Sequence, residues 1–262
     1  DPLWSRGLGD VYKRQGPAIP PADPRAALLQ DRNFRWMIGG SALSMLGDQF
    51  TLIALPWLVL QMTGDTLVLG TVLALISVPR ALFILIGGAL VDRHSPKQVL
   101  MITKYVNLVL LAALAGLVFA GTLSLWMVYA LSLGIGLATA FSIPAGTAMM
   151  PSVVARPQLQ AANGISLGLR QLTMFLGPLL AGLLIALFGA GGAAHTAADA
   201  PAHANATGIG IAFALDALSF AVSAWTLSKV QTRAGLAGLS APTAAPQAVL
   251  ASVAVSYTHL RA

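Results

Sequence analysis

Four charged side chains stand deep inside long apolar stretches of this sequence, well beyond the first turn: Asp48, Arg80, Arg170 and Asp216. A charge at the centre of a bilayer-spanning helix costs about 3 kcal/mol or more, so such residues are expected to pair, bind substrate or move protons. Asp48 lies twelve residues beyond Trp36, where the first apolar stretch begins, and Arg80 lies ten residues before Leu90, where the second ends. At a helical rise of 1.5 Å these positions are about 18 Å and about 15 Å from the same side. Equal depth and a short connection predict that Asp48 and Arg80 form an ion pair or share a polar pocket at mid-membrane. A carboxylate balanced between desolvation and a nearby cation is suited to proton exchange. Arg170 is about 10 Å from the near end of its stretch, within snorkelling reach of the interface, and is a substrate-facing candidate. Asp216, at similar depth from the far face, is expected to fill a structural hydrogen-bonding role.

These charges need spanning elements to hold them. Charged residues make up 9% of the chain and hydrophobic residues 56%, against about 25% charged in a soluble domain. Six stretches are long enough to cross a hydrocarbon core about 30 Å thick: Trp36–Leu60, Thr66–Leu90, Val99–Ala120, Leu123–Met150, Asn163–Phe188 and Ile209–Ser228. The predicted fold class is all-α and polytopic. Cysteine and glutamate are absent, which excludes disulfides and thiolate metal sites,. No cofactor or metal is expected. The net charge of +6 reflects Lys and Arg in the connections, a topological pattern with no nucleic-acid footprint,.

Alternate connections divide by charge. Arg25, Arg32 and Arg35 precede the first span; Arg93 and Lys97 follow the second, with Lys104 one turn into the third; Arg156 follows the fourth; Lys229 and Arg233 follow the sixth. The connections near Asp65, near Gly121 and across Gly189–Gly208 carry none. The positive-inside rule then places both termini in the cytoplasm.

The connection after the second span reads Gly88-Ala89-Leu90-Val91-Asp92-Arg93-His94-Ser95-Pro96-Lys97. Asp92 falls at a helix C-terminus, where the macrodipole disfavours an anion, so Arg93, Lys97 or another helix N-terminus must compensate it. Gly88 permits close approach of such a helix. This segment resembles the loop motif of the major facilitator superfamily, matching at Gly88, Leu90, Asp92, Arg93 and Lys97, with Ser95 in place of the usual second glycine. The resemblance implies that Gly88, Asp92, Arg93 and Lys97 form a conformational latch against a second six-helix half. Leu46-Gly47-Asp48-Gln49, Leu55-Pro56, Phe141 to Pro151, Ala162-Asn163 and Leu215 to Phe220 are similar to a bacterial exporter subgroup that includes the enterobactin exporter and macrolide-efflux proteins. Over residues 28–230 the chain therefore resembles one half of a twelve-helix transporter. Gly177-Pro178 is similar to the Gly-Pro motif of drug/proton antiporters, with Thr173 where its leading glycine would stand. The arginine that proton-coupled antiporters carry in the fourth span is absent. Pro56 and Pro144, and Pro79 and Pro178, occupy matching places in an inverted three-plus-three repeat.

The predicted organisation is an adapter-derived tail at 1–15, a cytoplasmic segment at 16–35, the six-helix half at 36–228, a cytoplasmic linker at 229–254 and a second adapter-derived tail at 255–262. The expected function is secondary active export of small amphipathic molecules such as drugs or siderophores, by alternating access and proton coupling, from the inner membrane. The expected partners are the substrate, the lipid bilayer and a missing C-terminal six-helix half. A non-transporting scaffold or receptor is the alternative from another class. An intramembrane protease is the other: Gly164-Ile165-Ser166-Leu167-Gly168 has the form of a nucleophile elbow, but that elbow needs a strand-to-helix turn. The histidines at 94, 195, 203 and 259 lie outside the predicted spans, so Ser166 lacks a base and no enzyme is predicted.

Overall fold

The computed structural model describes residues 24–93, 95–189 and 202–232. Both predicted tails, residues 16–23 and the linker beyond residue 232 lie outside the described residues. Within them the chain forms helices α1 (Pro24–Gln30), α2 (Arg32–Thr63), α3 (Thr66–Arg93), α4 (Pro96–Ala120), α5 (Leu125–Val153), α6 (Leu159–Gly189) and α7 (Ala202–Lys229). Arg156–Gln158 form a 3-10 turn. Helices α2 to α7 supply the six stretches long and apolar enough to cross a membrane.

Most of these helices outrun the apolar stretches that predict them, because a helix stops where its end groups find partners and not where hydropathy falls. Asp31 caps α2 five residues before Trp36: its Oδ1 accepts hydrogen bonds from the backbone N–H of Asn33 at 2.7 Å and Phe34 at 3.3 Å,. Pro96 opens α4, where its fixed φ and missing N–H suit the first turn,. Gly64 and Gly121, at φ 64° and 65°, end α2 and α4 in the left-handed region that only glycine enters cheaply,.

Six seams hold the bundle, and five of them follow one pattern. Helix α2 packs on α7 and α6, α5 packs on α4 and α3, and α4 packs on α7. Exchanging α2 with α5, α3 with α6 and α4 with α7 maps these seams onto themselves. Pro56, Pro144, Pro79 and Pro178 lie inside α2, α5, α3 and α6, so each pair sits in helices that exchange. The symmetry fails in one place, since α6 also packs on α7 while α3 barely touches α4.

Small residues set how closely the seams close. A Cβ added at Gly40 would run into Thr226, and one at Gly47 would run into Asp216 and Ser219, so α2 and α7 approach nearer than larger side chains allow,. Gly136 of α5 lies directly against the backbone of Ile76 in α3, and Gly177 of α6 lies against the Gln49 side chain of α2.

One end of the bundle gathers the starts of α2 and α4 and the end of α7. Asn33 Oδ1 accepts a hydrogen bond from Gln231 N–H at 3.1 Å. Lys97 Nζ donates to the carbonyl oxygens of Val230 at 2.7 Å and Ser228 at 3.3 Å, where a cation complements the helix dipole. Arg25, Arg32, Arg35, Arg156 and Lys229 stand at this end, whereas the described connections at Gly64–Asp65 and Gly121–Ser124 carry no Lys or Arg.

Candidate functional site in the spans

The α2–α7 seam carries a polar stripe on each helix. Ser44 and Thr51 on α2 face Asp216, Ser219, Ser223 and Thr226 on α7, at the three- and four-residue spacing of one helical face,. Asp216 is 1% exposed. Thr51 Oγ1 donates a hydrogen bond to Asp216 Oδ2. Ser219 Oγ lies 3.3 Å from Oδ1 of the same carboxylate and donates at 2.7 Å to the Asp216 backbone carbonyl. A buried carboxyl group keeps its cost tolerable through such partners.

A third helix contributes a cation. Lys104 of α4 is 7% exposed, and its Nζ lies 3.3 Å from Ser44 Oγ and 5.6 Å from the centre of the Phe220 ring. Asp48 stands one turn beyond Ser44 on α2 and is exposed. Lys104 thus meets α2 one turn before Asp48, and Gly47, the neighbour of Asp48 in the chain, lies against Asp216. The constellation is therefore two carboxylates, one ammonium and three hydroxyls from α2, α4 and α7.

Arg80 does not join it. The predicted Asp48–Arg80 pairing is corrected by the packing: α3 lies chiefly against α5 and meets α2 only weakly, and Arg80 is exposed on α3. A short connection brings helix ends together, but the small-residue seams decide which helices stay in contact along their length. The reading of Lys104 as a flanking topological charge is corrected too, since the lysine is buried. Arg170 is exposed on α6. Seven residues separate it from Gly177, which touches Gln49, so it lies about 10 Å nearer the end where α2 begins,. In the loop motif, Lys97 holds the end of α7. Gly88 is half-buried with no described atom within 4 Å of an added Cβ, which leaves room for another helix there. Asp92 and Arg93 fall in the last turn of α3, and the surroundings of their side chains lie outside the described residues.

Two apolar grooves border α2. One, of about 380 Å³, lies against α6 and is lined by Ile38, Ala42, Ile165, Leu169 and Leu172 among others. The other, of about 160 Å³, lies against α7 between Leu43, Phe50, Leu215 and Leu218. No charged residue lines either groove. Among the described residues no cluster of His, Asp or Glu is arranged to hold a metal ion.

The sequence pattern of the Major Facilitator Superfamily matches residues 37–257, well over half of the chain. The chain belongs to the major facilitator superfamily. It is a multi-pass membrane protein of that family, with six helices long and apolar enough to span a membrane among the described residues. This superfamily member is 28% identical over 149 residues to macrolide efflux protein A of Streptococcus pyogenes, covering 57% of the chain and 37% of the relative. It is 32% identical over 151 residues to the multidrug efflux pump Tap of Mycolicibacterium fortuitum, covering 55% of the chain and 36% of the relative. Tap of Mycobacterium tuberculosis H37Rv is 30% identical over 161 residues, covering 56% and 36%. The match spans little more than a third of the length of each relative. No solved structure shows significant similarity.

Sequence reasoning passed over Lys104, yet a signal was present. Lys104 and Asn107 share a face of α4 with Leu111, and a polar pair at that spacing on an otherwise apolar superfamily helix marks an inward stripe,.

Proposed function

We propose that this chain is the N-terminal six-helix half of a secondary transporter that exports small amphipathic molecules, driven by the proton gradient through alternating access. The observation that carries the reading is the charged constellation of Asp48, Lys104 and Asp216 inside the spans of a superfamily member. Charges retained at such depth serve ion or substrate movement by default. The printed names of the relatives, macrolide efflux protein and multidrug efflux pump, support export as the direction and drugs as the substrate class. A second six-helix half supplies the remaining wall of the substrate cavity and the partner of the Gly88–Lys97 latch. The loop motif and the apolar grooves along α2 support that division. The test is the complete reading frame expressed in bacteria stripped of their own drug pumps. Cell accumulation of radiolabelled erythromycin and of ethidium should fall several-fold, and a protonophore should restore it. Accumulation equal to that of the empty vector for both compounds sinks the export reading.

The grouping of Arg25, Arg32, Arg35, Lys97, Arg156 and Lys229 at one end supports a cytoplasmic location for that end and for both termini, in the inner membrane,. The chain has no cysteine, so single cysteines report cleanly. A cysteine replacing Thr196 is expected to react with a membrane-impermeant maleimide added to intact cells, and one replacing Ser95 is expected to react only after the cells are opened. The opposite pattern inverts the topology.

A further inference from the structure

Lys104 lies eight residues beyond Pro96, about 12 Å into α4,. A lysine at that depth can reach the interface if its stem runs along the lipid face. This one does not: Ile102, Tyr105, Val106 and Val109 are the exposed residues of that stretch, while Lys104 is sealed between α2 and α7. Its two direct partners, the Ser44 hydroxyl and the Phe220 ring, are uncharged. The hydroxyl and the ring hold the ammonium in place, and an anion within reach would stabilise it further.

The surrounding helices narrow the choice. Asp216 on α7 is already engaged by Thr51 and Ser219, whereas Asp48 stands one turn beyond Ser44, whose hydroxyl Lys104 contacts. Helix α5 contains no charged residue, Arg80 on α3 is exposed, and Arg170 on α6 lies about 10 Å nearer the start of α2,. Access separates the two carboxylates. Asp48 is exposed, whereas Asp216 is closed off in the seam.

We propose that Lys104 is the resident counter-ion of Asp48 and compensates its negative charge whenever the transported proton is absent. The assignment rests on the transporter reading above. With Asp48 ionised, the ammonium neutralises it. When a proton arrives from outer water, an O–H bond forms on the carboxyl group; Lys104 keeps its three hydrogens and remains held by Ser44 and Phe220. On the inner side that O–H bond breaks, the proton passes to water, and the ammonium again faces a carboxylate. Lys104 is thus a positioning residue: it sets how readily Asp48 releases its proton without carrying that proton itself.

The test uses the complete carrier purified into liposomes, with radiolabelled erythromycin as probe and two assays on each preparation. One is exchange of labelled for unlabelled drug at equal pH, which needs no net proton movement. The other is uphill accumulation driven by an imposed pH gradient. Lys104→Met should lower the ratio of uphill accumulation to exchange by about tenfold, one unit of proton affinity. Lys104→Arg, which keeps the charge, should restore most of it. A ratio unchanged in Lys104→Met, or equally low in Lys104→Arg, overturns the assignment while leaving the transporter reading intact. A wild-type carrier that fails to exchange overturns both. If Lys104→Met is not recovered folded, adding Asp48→Asn removes the stranded partner charge and should restore the yield. Rescue by Asp216→Asn instead, or by neither, rejects Asp48 as the partner.

Discussion

Asp48→Asn in the complete carrier is expected to take gradient-driven efflux to background while folded protein is still recovered. An amide cannot bind and release a proton near neutral pH, so a cycle that requires protonation of this side chain loses its drive. The effect should be far larger than that of trimming an apolar contact, because the proton step is removed outright. Efflux is read as the energised loss of preloaded ethidium from cells, with and without a protonophore. Normal, protonophore-sensitive efflux in Asp48→Asn would show that the proton travels elsewhere. The packing adds a second expectation. Asp48→Asn combined with Arg80→Gln should show no mutual rescue of folding or transport, because α2 and α3 do not bring the two residues together. Independent sites have additive effects, and a coupling well above about 0.5 kcal/mol would reinstate the pair.

Gly136→Leu is expected to prevent recovery of folded protein, and Gly136→Ala to lower stability by about 1–3 kcal/mol. In an ordinary helix, Gly→Ala gains up to about 1 kcal/mol. Here the sign reverses, since the new Cβ would lie 2.5–3.0 Å from the carbonyl oxygen, Cα and carbonyl carbon of Ile76. Backbone atoms cannot rotate aside, so α3 and α5 would have to part along the only extensive seam that α3 makes among the described residues. Gly116 of α4 is the control, being exposed with no described atom within 4 Å of an added Cβ. Thermal unfolding in detergent should give a midpoint several degrees lower for Gly136→Ala and unchanged or higher for Gly116→Ala. Equal midpoints would mean that α3 and α5 are not in such close contact.

The spans were legible in the sequence because so few charges interrupt them, and the all-α class and six crossings follow from that alone. Their ends were less legible because caps such as Asp31 and Pro96 are local hydrogen-bonding and steric events that a hydropathy pattern does not weigh. The site was misread through neighbour choice. Chain adjacency put Arg80 beside Asp48, but the small stripe of Gly40, Ser44 and Gly47 fits the Asp216–Thr226 stripe of a helix more than 160 residues away. Both stripes can be seen in the sequence at three- and four-residue spacing. Their register cannot, because it depends on how two helices slide against each other, and the same applies to Gly136 finding Ile76.

The hydrogen bonds from Lys97 to Val230 and Ser228, and from Gln231 to Asn33, tie three separate parts of the chain into one knot at the base of the bundle. A pull on the segment that leaves α7 is not absorbed by that helix alone. It loads the first turns of α2 and α4 at once, and α4 is a stiff rod on which Lys104 sits two turns further along. A load on Val230 and Gln231 therefore reaches the helix that carries the one buried cation of the bundle's described core.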